Sequence, residues 1–341
     1  MHAMHPRRRD WGERSRRFFT IALPAILIFA FGSTAAWALE RSAVEEASLA
    51  RAPSTRTAGL DPALVKAQIL LDRAGFSPGE IDGRAGENER KAITAFAAAH
   101  GLHSDGKLNA QLWSELTATS NEPVLTEYTI VEKDVQGPFL KRLPAKMEEM
   151  KDLDRLSYTS PVEALAEKFH MSEALLKALN PAKSLDRAGE TIVVADVAGS
   201  PPHRQVTKID VDKRERVVRA FDKGGNLVAV FPASIGSTEK PAPSGTYKVT
   251  GVSENPTYRY NPNYHFKGVA AKQPFTIKPG PNNPVGVVWI ALSAKGYGIH
   301  GTPDPAKVSK TTSHGCIRLT NWDAKALAAM VEKGASVTFL G

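Results

Sequence analysis

At Ala198-Gly199-Ser200-Pro201-Pro202 the chain changes texture. Before this linker, apolar residues recur mostly at helical spacing; after it they come in short β-branched runs. The runs at 206–211, 216–221, 227–231, 247–250, 287–292, 297–300 and 337–340 each read as a strand. Asp222-Lys223-Gly224-Gly225-Asn226 turns one into the next and makes a hairpin. Strands at this spacing predict a mainly-β sandwich or barrel over 204–341. One helix is predicted to interrupt it at 322–332, with Asn321 as its N-cap. The Pro-, Asn-, Tyr- and Lys-rich stretch 253–284 is long for a loop and is a candidate substrate lid.

Two smaller units precede the linker. Over 61–118, Leu64, Ile69, Leu70, Leu71, Ala92, Ile93, Phe96 and Ala97 keep helical spacing, and Leu112, Trp113 and Leu116 form a last short helix. Over 125–196 a strand at 128–131 and a closing strand at 189–194 bracket two helices. Ser160 caps the first of these and Asn180-Pro181 ends the second. Residues 39–60 are polar and aperiodic and read as a tether.

Residues 1–38 carry the marks of export. Arg7, Arg8, Arg9, Arg14, Arg16 and Arg17 precede an apolar run that ends in Ala36-Trp37-Ala38, a small-residue cleavage signature. Ser15-Arg16-Arg17-Phe18-Phe19 fits a twin-arginine signal. An uncleaved signal-anchor is the other reading, and would be the chain's one attachment to a membrane. Either way the body is expected outside the cytoplasm, in the periplasm or cell envelope. Half of the net charge of +8 lies in this segment, so the body is only mildly basic. That balance suits an anionic polymer such as cell wall and gives no argument for nucleic acid.

Cys316 is the one cysteine of the chain, so it cannot form an internal disulfide. An exposed thiol outside the cytoplasm is an oxidation liability, which points to use rather than packing. It sits in Ser313-His314-Gly315-Cys316-Ile317-Arg318, with Gly298-Ile299-His300-Gly301-Thr302 upstream. A thiol needs a base to become a nucleophile, and either His300 or His314 could serve. Glycines at 301 and 315 let backbone amides approach a developing oxyanion. The pattern points to cysteine acyl transfer. A zinc site on the same residues is disfavoured, and no metal or cofactor is expected. His265 is a second candidate for the cleft, while His100, His103 and His170 are expected to pack within the smaller units.

These motifs resemble an L,D-transpeptidase catalytic domain of the YkuD type. The resemblance covers 206–341 and rests on His300, the intact Ser313-His314-Gly315-Cys316 and the run Pro241-Ala242-Pro243-Ser244-Gly245-Thr246-Tyr247. Ser313 follows thirteen positions after His300, a gap slightly shorter than the family's. The resemblance implies Cys316 as nucleophile, His300 as base and the Gly301 carbonyl as its orienting acceptor. It implies an oxyanion hole from the amides of Gly315 and Cys316 with Ser313 and His314 beside it, and Arg318 as a carboxylate binder. Residues 61–118 resemble a peptidoglycan-binding domain through Val65-Lys66-Ala67-Gln68, Ile81-Asp82-Gly83 and Asp105-Gly106-Lys107-Leu108. Residues 125–196 resemble a LysM glycan-binding module, with a stretch between first strand and first helix longer than that module's.

The implied substrate is peptidoglycan, both stem peptides and glycan, with D-alanine released from tetrapeptide stems. Acylated enzyme would pass the stem to another stem peptide, forming 3–3 cross-links, or to a wall-attached lipoprotein. Hydrolysis on the same fold is one alternative; a non-catalytic wall-binding protein is another.

Overall fold

The computed structural model describes residues 1–2, 39–49, 59–198, 204–237, 240–264, 269–313 and 315–341. Almost all of the expected export segment, and His265 and His314, lie outside the described residues. No helix among the described residues is long and apolar enough to cross a membrane.

The stretch expected as a plain tether contains a short helix, α1 (Arg41–Glu45). Leu39 and Val44 are buried there, and the Glu45 carboxylate accepts the amides of Val124 and Leu125 at 3.1 and 2.8 Å. Its start is therefore part of the folded body. Helix α2 (Pro62–Arg73) starts as its sequence dictates, with Pro62 in the first turn and Asp61 accepting the Ala63 amide. Helices α3 (Glu87–Ala99) and α4 (Ala110–Ala118) follow, and Asn109 caps the latter. Val65, Ile69, Phe96, Leu112 and Leu116 close their common core.

The middle unit runs β1 (Leu125–Thr129), α5 (Glu132–Val135), α6 (Met147–Met150), α7 (Pro161–Lys168), α8 (Glu173–Leu179) and β2 (Thr191–Ala195). Its first strand begins three residues earlier than the apolar pattern placed it. Antiparallel pairing of Leu125 with Ala195 through Thr129 with Thr191 sets that register. Ser160 caps α7 by accepting the Glu163 amide, as its position predicts. Asn180 ends α8 and ties it to β2: Nδ2 donates to Leu176 and Val193 carbonyls, and Oδ1 accepts the Val193 amide at 2.7 Å.

The C-terminal unit holds β3 (Val206–Asp212), β4 (Val217–Phe221), β5 (Leu227–Pro232), β6 (Ser234–Ile235) and β7 (Gly245–Glu254). After these come β8 (Tyr258–Tyr260), β9 (Phe275–Ile277), β10 (Val288–Leu292), β11 (Gly298–His300) and β12 (Ile317–Arg318). Helix α9 (Asn321–Met330) and strand β13 (Val331–Leu340) finish the chain. The candidate lid is thus not a bare loop, since β8 and β9 pair within it. The cap of α9 is Thr320, one residue before the expected Asn321, which frees the Asn321 amide for other work.

Nine strands form one mixed sheet in the order β5-β4-β3-β13-β7-β10-β11-β12-β6. Its two outermost strands, β5 and β6, are separated in sequence by Ala233 alone. Two residues of chain span only about 7 Å, so the sheet has curled until its edges approach. The predicted mainly-β, barrel-like unit follows from that geometry.

The three units share one packed body. Phe76 lies beside Val230 of β5, with Ser77 donating to the Val230 carbonyl and the Val230 amide to Gly75. Lys91 donates to Ser309 at 2.6 Å. The middle unit joins through Ile81, whose amide and carbonyl pair with His170 and Ser172. His170 does more than pack within its own unit: Nδ1 bonds Asp72 at 2.9 Å and the ring stacks on Trp322.

Truncating Asn180 to Ala removes bonds to a buried helix end and strand. We expect Asn180→Ala to cost about 1–3 kcal/mol of stability, read as a lower urea midpoint at unchanged slope; an unchanged midpoint would mean that Asn180 ties nothing together.

Candidate active site

Strands β10, β11 and β12 lie side by side, and their registers align one set of residues. Trp289 opposes His300 across β10 and β11, and His300 opposes Arg318 across β11 and β12. Alternate residues of a strand share a face, so Cys316, just before β12, projects with Arg318. The other face carries Ile290, Ile299 and Ile317, all wholly buried in the core. Alternation alone therefore places Trp289, His300, Arg318 and Cys316 on one surface. They line one cleft of about 630 Å³.

His300 is buried at 4% exposure and stacked on Trp289, ring centroids 5.5 Å apart and planes 13° from parallel. Its Nδ1 lies 2.7 Å from the Gly301 carbonyl oxygen. A carbonyl can only accept, so Nδ1 carries the proton and Nε2 presents a lone pair. That tautomer is the one a general base needs. Burial, with the Arg318 guanidinium nearby, pushes the imidazole down to about 3, against a weaker upward pull from the Gly301 bond.

Burial pushes the Cys316 thiol up, and a backbone hydrogen bond from Gly298 with the charges of Lys240 and Arg318 only partly opposes it. At rest the cleft therefore holds a neutral thiol and a neutral imidazole, the thiol donating to the Gly296 carbonyl at 3.9 Å. Proton transfer belongs to the chemical step, when the nucleophile attacks.

The turn before Cys316 is fixed by backbone and hydroxyl. Gly315 has φ +95°, which favours glycine, and its Cα lies against the Lys240 side chain. Ser313 is buried, its hydroxyl donating to the Cys316 carbonyl and its amide to Gly236. Those bonds give Ser313 a place in the turn, away from the cleft lining, where sequence reasoning had set it beside the substrate. Arg318 lines the cleft, and its buried Nε has no partner among the described residues.

One part of the cleft lining was not foreseen. Met147 and Met150, one helical turn apart in α6 of the middle unit, line the same cleft. They come from the Lys-, Glu- and Met-rich stretch that sets this unit apart from a plain LysM pattern. Glu148 between them accepts the amides of Ala270 and Ala271, and Leu156 donates to the Pro279 carbonyl. The insert is thereby bound to the β8–β9 segment, which lines the cleft through Tyr258 and Arg259. Only the spacing of the two methionines hinted at a shared face.

Comparisons with known proteins place these features. Residues 207–338 match the model of the L,D-transpeptidase catalytic domain, YkuD, and residues 61–116 match that of a peptidoglycan binding domain. The Bacillus licheniformis protein named L,D-transpeptidase YkuD is 26% identical over 179 residues, covering 52% of this chain and 92% of that protein. The Escherichia coli protein named L,D-transpeptidase YbiS is 29% identical over 189 residues, covering 53% of this chain and 60% of that one. The chain thus spans about three fifths of the length of that Escherichia coli relative. Among solved structures, the catalytic domain of the Enterococcus faecium L,D-transpeptidase is similar at 25% identity with a TM-score of 0.32, covering 40% of this chain and 99% of that one.

A raised thiol and a depressed imidazole have a measurable sign. Alkylation of Cys316 by iodoacetamide should still be climbing beyond about pH 8.5, the midpoint of an ordinary cysteine. A plateau already reached below neutral pH would reveal a resting thiolate–imidazolium pair and overturn this assignment.

Proposed function

We propose that the chain is a peptidoglycan L,D-transpeptidase of the cell envelope with Cys316 as its nucleophile. The observation that carries this reading is the tautomer of His300: Nδ1–H is held by Gly301, leaving a basic Nε2 in the cleft that also holds the thiol. Match of 207–338 to the L,D-transpeptidase catalytic domain supplies the reaction class.

In the first step Nε2 takes the thiol proton as sulfur attacks the carbonyl of the third residue of a tetrapeptide stem. The tetrahedral oxyanion is met by the amides of Gly315 and Cys316. The C–N bond breaks, the imidazolium returns its proton to the leaving amine, and D-alanine departs. In the second step an amine attacks the thioester, its proton passes to Nε2, and the thiol is released. A second stem gives a 3–3 cross-link; a lipoprotein lysine gives a protein attached to the wall; water gives hydrolysis. Arg318, which lines the cleft and whose buried Nε has no partner among the described residues, is suited to a stem carboxylate.

The unit at 61–116 adds attachment to the wall, as its match to a peptidoglycan binding domain supports. The middle unit keeps the two bracketing strands and, in α7 and α8, the helix pair of a LysM module, but α5 and α6 intervene after its first strand, and we assign it a mainly structural part. Its α6 insert lines the cleft instead of leaving the unit independent. Residues 1–38 direct export, by a cleaved signal or an anchor.

Intact-protein mass after mixing with a carbapenem tests the nucleophile. Wild type is expected to gain one adduct and Cys316→Ala none, with His300→Ala slowed on the order of 100-fold or more. Release of D-alanine from tetrapeptide muropeptides should follow the same order. A well-folded wild type that forms no adduct and releases no D-alanine would sink the enzyme reading and leave wall binding.

A further inference from the structure

The group that orients His300 is itself held from outside the catalytic unit. Gly301 lies so close to Asn321 that a Cβ on this glycine would overlap Asn321 Oδ1. Gly286 packs at the same point: a Cβ there would stand 2.0 Å from Asn321 Oδ1 and 2.6 Å from the Gly301 carbonyl carbon. The Asn321 amide thus walls the peptide unit whose oxygen holds the imidazole.

That amide is wholly buried and fully engaged. Oδ1 accepts the Val287 amide at 3.2 Å, while Nδ2 donates to the Pro281 carbonyl at 3.1 Å and to Glu167 Oε2 at 3.0 Å. One acceptor and two donors, each with its own partner, leave the side chain a single orientation. Glu167 belongs to α7 of the middle unit, 154 residues away in sequence. Its other oxygen accepts from the Tyr158 hydroxyl at 2.7 Å. The contacts run without a break from Tyr158 to Glu167, Asn321, Gly301 and His300.

We propose that Glu167 is a positioning residue for the proposed base: through Asn321 it fixes the Gly301 carbonyl and with it the Nδ1–H tautomer of His300. A plain docking contact could sit anywhere on the shared surface. This one ends on the amide that packs against the carbonyl orienting the ring. Without the carboxylate, one Nδ2 hydrogen is buried and unpaired, and rotation of the amide to relieve it breaks the Val287 bond. The wall against Gly301 then loosens. A carbonyl that drifts from Nδ1 releases the neutral imidazole to its other tautomer, with the proton on Nε2, where it cannot accept one from sulfur. The middle unit would on this view be part of the catalytic machinery rather than a detachable glycan binder. The inference rests on the reading of His300 as base.

The test uses the full chain with Glu167→Ala, Glu167→Gln and Asn321→Ala. Glu167→Ala should slow carbapenem acylation by roughly 10–100-fold with KM for tetrapeptide release little changed. Glu167→Gln can turn its carbonyl to Asn321 and its amide to the Tyr158 oxygen, and should recover most of the rate. Nitrogen-15 shifts of the His300 ring should show Nδ1–H in wild type and Glu167→Gln, and mixed tautomers in Glu167→Ala. The double variant should lose no more than Asn321→Ala alone; if Asn321→Ala does not fold, the Glu167 pair decides. Wild-type acylation in Glu167→Ala would overturn the proposal and leave the enzyme reading intact. So would a loss that accompanies a lower melting temperature with the Nδ1–H pattern preserved. An unacylated wild type would remove both.

Discussion

The hydrogen bond from His300 to its neighbour's carbonyl is the constraint from which the character of this site follows. An imidazole oriented by a carboxylate gains a stabilised cation and becomes a stronger base. A backbone carbonyl gives the same orientation without the charge. In this protein burial and Arg318 act against the imidazolium and only the Gly301 bond favours it, so the ring is neutral at rest. The thiol, pushed up by burial too, stays protonated in the same cleft. Reactivity is thereby held back until a substrate carbonyl occupies the cleft. A neutral thiol also suits a chain proposed to work outside the cytoplasm, because oxidation proceeds through the thiolate.

Much of this was legible in the sequence because it is local. Strand alternation around Ile299 and Ile317 places His300, Cys316 and Arg318 on one face without knowledge of the rest of the fold. The cap at Ser160, the turn at Asp222-Lys223-Gly224-Gly225-Asn226 and the glycine before Cys316 are short-range rules that tertiary packing did not override. Ser313 illustrates the limit. Its place in the motif invited a role beside the substrate, yet its hydroxyl completes the turn within three residues of itself.

What the sequence hid depends on partners far along the chain. The helix start at Asn321 looked like a cap. With Thr320 as the cap, Asn321 points inward to Glu167, Pro281 and Val287, and no periodicity in either segment announces that meeting. The stretch around Met147 looked like an interruption of a small module. It is bonded through Glu148 to the β8–β9 segment and lines the cleft, so its sequence answers to the catalytic unit rather than to its own. Departures from a familiar pattern marked the places where two units are joined.

The positive groups around the cleft complete the account. Arg318 lowers both neighbours' affinity for protons, helping the thiol ionise while weakening the imidazole that must receive the proton. Its own charge is disfavoured by burial, and its Nε lacks a partner among the described residues. A carboxylate bound there would satisfy that donor and offset the guanidinium's field at His300. The imidazole would then gain basicity when an anionic substrate is seated, and lose it when the cleft is empty. On this argument burial keeps the pair inert at rest, and the arginine's field on His300 is the part of that restraint an anionic substrate relieves.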